Sequence, residues 1–177
     1  MKKGLIFGFI LMLSIVLTAC GGSDEVSVQD DLISFVNEAA KIDKEHVESS
    51  AKLENLMEPV LATGVFDITE EEYDDLVKTL EEMISSLDNL SEPETEEVKS
   101  LYNQHVDSSK KIFTATLGIF EAMKNGDMVK VTEETVVMTE ATSELLDTTL
   151  KLNTLAAEHD VILELDELGV ITKASKK

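Results

Sequence analysis

Arginine and tryptophan are missing from this chain of 177 residues, and cysteine occurs once. Basic residues are few: 15 lysines face 36 acids, for a formal net charge of −21. A chain this acidic with no guanidinium fork lacks the footprint of a nucleic-acid binder, which neutralises phosphates with clustered Lys and Arg. The same balance argues against a folded body that adheres to anionic lipid headgroups. A single cysteine has no intramolecular disulfide partner. Proline occurs twice and glycine 8 times, so helix-breaking positions are scarce. Aromatics make up 5%, which suits thin, regular helix packing. No G-x-S-x-G, H-E-x-x-H, C-x-x-C-H or glycine-rich phosphate loop is present. The expectation is a protein that is not an enzyme and has no cofactor.

One long hydrophobic run does occur, at the start. Lys2 and Lys3 precede an apolar stretch from Gly4 to Val16, too short to span a bilayer and shaped like a secretory signal. It ends in Leu17-Thr18-Ala19-Cys20, which resembles the lipobox of bacterial lipoproteins. That resemblance implies a signal peptide over residues 1–19, cleavage before Cys20, and a diacylglycerol and palmitate-type acyl anchor on its sulfur. It places the protein on the outer, extracytoplasmic face of a cell membrane, and the arginine-free composition resembles a Gram-positive source. The chemistry agrees, because a free thiol outside the cell is a liability and two acyl chains anchor stably where one is marginal. Losing Lys2 and Lys3 takes the net charge from −21 to −23. Residues 20–27, led by Gly21-Gly22-Ser23, read as the lipidated cysteine and a flexible tether.

Four amphipathic segments follow. The first covers about residues 28–57, with Leu32, Phe35, Ala39, Ile42, His46, Ser49, Leu53 and Leu56 at alternating three- and four-residue steps. Pro59 is expected to kink or end it. The second starts at Thr69, where Glu72 completes a capping box, and carries Tyr73, Leu76, Leu80, Met83, Leu87 and Leu90. The third opens around Ser91 and Pro93 and carries Val98, Leu101, His105, Ser108, Ile112, Ala115, Ile119 and Ala122 until Asn125-Gly126-Asp127 breaks it. The fourth runs from about Met128 to Glu158 on Val131, Met138, Ala141, Leu145, Leu152 and Leu155. Short connections make neighbours antiparallel, so the expected fold is all-α: an up-down four-helix bundle over residues 28–158. The C-terminal tail, 159–177, reads as either a short extended segment or a frayed end.

Two near-copies stand out: His46-Val-Glu-Ser-Ser and His105-Val-Asp-Ser-Ser, at matching seam positions. They suggest either two duplicated hairpins, 28–90 and 91–158, or convergence on one polar layer. As chemistry, two histidines on facing helices could ligate a metal or haem. The Glu-x-x-His pair of di-iron bundles is absent from both segments. Further ligands would have to come from Asp43, Ser50 and Ser109. The pattern favours instead a polar core layer of His46, Ser49, His105 and Ser108, with no metal. Thr132, Thr135, Thr139 and Thr142 form a stripe on the fourth segment, either a hydroxyl-lined groove or a β-branched boundary beside the core. The acids at 70–75 and 92–97 do not match a calcium loop and sit where helix dipoles favour them.

The functional expectation is a lipid-anchored, non-catalytic binding or interaction module. Its partners would be the membrane, through Cys20, and another envelope protein. The alternatives are a small-ligand or metal carrier using His46 and His105, and a structural or stress-related spacer of the envelope.

Overall fold

Ser27 opens the first helix, its hydroxyl accepting from the Asp30 amide at 3.1 Å. A computed structural model describes residues 26–63, 66–167 and 169–177. The leader, Cys20 and most of the tether lie outside the described residues. The chain is mainly α-helical, with helices α1 (Val28–Glu45), α2 (Val47–Thr63), α3 (Glu70–Asp88), α4 (Glu96–Lys124) and α5 (Met128–Glu158). Two strands follow, β1 (Val161–Leu165) and β2 (Ile171–Lys176).

Local signals set several boundaries where the sequence puts them. Thr69 and Glu72 form the reciprocal capping box at the start of α3, with the Thr69 amide 2.9 Å from the Glu72 carboxylate. Gly126, at φ 70°, closes α4. Its amide reaches Met123 O at 3.0 Å and the Asp127 amide reaches Ala122 O at 2.8 Å, the paired bonds of a Schellman turn. Asp127 then caps α5 by accepting from the Lys130 amide at 3.0 Å. One residue thus ends a helix with its backbone and starts the next with its side chain.

Other boundaries differ from expectation. The single helix expected over 28–57 is two helices, interrupted at His46, whose φ is −100° and ψ 4°. The His46 amide is shared between Ile42 O and Asp43 O, at 3.1 and 3.2 Å. Position 59, expected to kink or end the helix, does not end it and lies inside α2. A proline removes one backbone donor, while the ladder either side and the packing of Val60, Leu53 and Leu56 against α3 persist. The third helix starts at Glu96, several residues beyond Ser91 and Pro93.

The Glu96 start has a tertiary cause. Thr95 makes no side-chain cap to its own helix. Asp31 of α1, 6% exposed, supplies the cap from across the fold. Its carboxylate accepts from the Thr95 amide at 2.8 Å, the Thr95 hydroxyl at 2.6 Å and the Glu94 amide at 3.2 Å. Glu38, two turns further along α1, holds Ser91 the same way.

The tail is a β-hairpin rather than a frayed end. Asp160, at φ 53°, turns the chain out of α5, and β1 pairs antiparallel with β2 from Val161↔Lys176 to Leu165↔Ile171. Asn37 of α1 clasps β2 with both ends of its amide. It donates to Ala174 O at 3.0 Å and accepts from the Ala174 amide at 2.8 Å.

Three apolar clusters fill the interior. At one end Leu32, Phe35 and Val36 of α1 meet Val98 and Leu101 of α4, Ala156 of α5 and Val161 and Ala174 of the hairpin. In the middle Leu87, Leu90 and Val106 pack with Ile42. At the other end Val60, Leu76, Leu80, Met83 and Phe120 join α2, α3 and α4. Helix α4 runs through all three. Helix α5 joins only the first, and its other half rests on α4 alone. The outer face of α5 consequently leaves Val129, Val136, Leu146 and Leu150 more than half exposed.

Candidate functional site

The four residues of the expected polar layer do not bond one another. His46 Nε2 lies 2.8 Å from Ser86 Oγ of α3, a residue outside the sequence pattern. Ser49 is half-buried on α2. Ser108, fully buried, donates to Glu144 of α5 at 3.4 Å, and Glu144 also takes Lys111 at 2.8 Å. His105 is half-buried and meets the Phe35 ring edge-on at 6.0 Å between centroids. The near-repeat therefore supplies two different environments, because the break at His46 swings α2 away to pack on α3 while α4 continues straight. No group of three or more His, Cys, Asp or Glu among the described residues is arranged to hold a metal ion.

His105 instead lines a cleft of about 380 Å³ between α1, α4, α5 and the hairpin turn. Phe35, Val36 and Ala39 form one wall, Leu101 the floor, and Leu145 and Leu152 the opposite wall. Gly169, Val170 and Ile171 close the end. Gly169 has φ 82° and turns the hairpin over the cleft. The polar groups are His105, Asp43, Thr148 and Thr149, and among the described residues no lysine lines the space. The volume falls at the small end of ligand sites, which are mostly apolar with a few convergent polar groups.

Asp43 and His105 influence each other across this cleft. Asp43 is solvent-exposed on its outer side, but the protein behind it desolvates the carboxyl and pushes its pKa up, against the pull of His105 and then His46. Desolvation likewise pushes the His105 pKa down from its ordinary value, opposed by Asp43. Near neutral pH His105 is thus an uncharged imidazole. It makes no hydrogen bond to any described residue. Thr148 and Thr149 spend their hydroxyl protons on their own helix, donating to Glu144 O at 2.9 Å and Leu145 O at 3.1 Å.

The threonine stripe faces solvent, and only its first member, Thr132, lines a depression, an open apolar one shared with Met128, Val129, Glu133 and Val136. Thr132, Thr135, Thr139 and Thr142 are all exposed, and each hydroxyl donates to the carbonyl four residues earlier, at 2.7–3.0 Å. They interleave with Val129, Val136, Leu146 and Leu150 on the outward face of α5. Along it 129, 132, 136, 139, 143, 146 and 150 repeat in steps of three and four. Sequence reading found the inner seam of α5 and read the outer one only as threonines, because valine and leucine there are spaced too widely to register alone.

Residues Asp31, Asn37, Ser86 and Thr148 carry contacts that the linear pattern does not announce. Asp31 had a partial signal as an acid in the first turn of a helix, a placement that the helix dipole alone also explains. Comparison with family models, curated proteins and solved structures returns no match to this chain.

Proposed function

We propose that this protein is a non-catalytic binding module tethered to the outer face of a cell membrane by lipid on Cys20, where it engages another envelope protein. The helices count as a four-helix bundle if α1 and α2 are taken as one broken arm. The observation that carries the reading is the outward face of α5, where an apolar and threonine seam at heptad spacing has no partner among the described residues. Its flank carries Glu133, Glu140 and Asp147, of which Glu133 and Asp147 are ion-paired with Lys130 and Lys151 of the same helix, so the fitting partner is a helix with an apolar stripe and few acids beside it. No helix among the described residues is long and apolar enough to cross a membrane. Membrane attachment in this reading comes from the anchor.

The test pairs Val136→Lys with Leu150→Lys in the full chain and crosslinks it in membranes. Both positions are exposed, so folding stability should move by less than about 0.5 kcal/mol. Loss of the crosslinked partner is expected, and an undiminished crosslink counts against the reading. For the anchor, Cys20→Ala should abolish incorporation of labelled palmitate, and continued labelling sinks it.

A second reading, a small-ligand carrier, is favoured by the cleft beside His105. It keeps the ligand on one histidine and does not use His46.

A further inference from the structure

The carrier reading leaves the class of ligand open, and the chemistry of the cleft narrows it. Polar groups at its surface are overwhelmingly acceptors. The Thr148 and Thr149 hydroxyl protons are committed to backbone carbonyls, so only oxygen lone pairs remain for a ligand. The Asp43 carboxylate accepts only. His105, neutral and without a hydrogen-bond partner, offers one donor and one acceptor. No cationic side chain among the described residues lines the space, so nothing described there would attract a carboxylate or a phosphate. The whole chain carries a net charge of −21, a field that gathers cations and repels anions.

The remaining surface is hydrocarbon. Phe35 presents an aromatic ring, and Leu101, Leu145, Leu152 and Ile171 provide aliphatic walls. Hydrated metal ions have no use for such walls, and the oxygen ligands that calcium or magnesium requires are too few. An apolar body with a hydrogen-bond-donating head satisfies both halves of the site. A cation near the Phe35 face adds attraction from the ring.

We infer that the cleft between α1, α4, α5 and the hairpin turn binds a small organic cation, a protonated amine carried on a short apolar body. Asp43 and the threonine oxygens receive the ammonium, and Phe35 with the leucines receives the body. His105 orients the head from the floor, its ring held by edge contact with Phe35. This inference rests on the carrier reading and adds the ligand class.

The experiment titrates phenethylamine, phenethyl alcohol and hydrocinnamate separately into purified, detergent-solubilised full chain at neutral pH, by calorimetry. These probes share a body and differ in head charge. The amine is expected to bind at least tenfold tighter than the alcohol, and hydrocinnamate weakest. Asp43→Asn should weaken the amine at least tenfold. Thr149→Trp, which fills the cleft from an exposed position, should abolish binding while leaving the helical circular-dichroism signal unchanged. If alcohol and amine bind alike and both respond to Thr149→Trp, the cation class is overturned and the carrier reading stands. If no probe binds, both fall. Amine binding indifferent to Asp43→Asn and Thr149→Trp places the amine elsewhere and overturns the assignment.

Discussion

His46 Nε2 lies 2.8 Å from Ser86 Oγ, joining the break between α1 and α2 to the last turn of α3. The Ser86 hydroxyl proton is already given to Glu82 O at 2.9 Å. The serine oxygen must therefore accept, and His46 donates from Nε2. The geometry places a proton on Nε2. Nitrogen NMR of the ring should show Nε2 protonated. Ser86→Ala removes the acceptor and should lower unfolding free energy by about 1 kcal/mol, read as a shifted urea midpoint with unchanged slope. An unchanged midpoint would mean that the bond contributes nothing to holding the break.

Asp31 is the cap of a helix that begins sixty-odd residues later, and its loss should be costly. Asp31→Ala leaves the Thr95 and Glu94 amides facing the interior without a partner. The expected loss is about 2–3 kcal/mol by chemical denaturation, since the acceptor is charged and serves three donors. Asp31→Asn keeps an oxygen and should recover part of it. A loss below about 0.5 kcal/mol for the alanine variant refutes the cap.

Asn37 should govern the hairpin more than any residue within it. A two-stranded hairpin alone is marginal in water. Asn37→Ala removes both bonds to Ala174. Hydrogen exchange at the Ala174 amide should quicken at least tenfold, with the α3 amides unaffected. Equal quickening in α3 would indicate global loosening instead.

Asp43 and His105 act on stability in opposite pH ranges. The folded state raises the Asp43 pKa, so holding that carboxylate charged costs stability at neutral pH. The cost fades as pH falls through the raised value. Asp43→Asn should accordingly stabilise the protein at neutral pH and lose that advantage in acid. The folded state lowers the His105 pKa below 6.5, so the unfolded chain takes the proton first. Stability falls as pH drops from 6.5 toward the lowered value, and His105→Gln should flatten that descent. Thermal melts from neutral to mildly acidic pH check both, and parallel curves for wild type and variants would refute the assignment.

Much of the helical pattern was legible, because burial along α3 and α4 follows residue spacing. Leu76, Leu80, Met83 and Leu87 are all buried where the three-four steps put them. The Thr69–Glu72 box and the Asn125-Gly126-Asp127 turn were legible because both are local. The break at His46 was not. Lys44, Glu45, His46 and Val47 contain no residue that ends a helix by itself, and the contact made at the break is with Ser86, forty residues away. Of the cleft, His105 could be singled out as a polar residue on an apolar seam. Asp43 was within reach too, as a candidate ligand near His46, and the apolar walls lay on the seams; Thr148 and the hairpin turn were not, since only the fold brings them to the cleft.

The Asn37–Ala174 clasp spans 137 residues of sequence. A ribosome makes α1 early, yet α1 has no complete set of neighbours until β2 exists. Loop closure over that distance is slow relative to helix formation. During synthesis the earlier-made helix would have Leu32, Phe35 and Val36 uncovered and wait for the later strand. Completion of the fold thus waits for β2, and truncation within β2 should leave α1 the helix most accessible to protease.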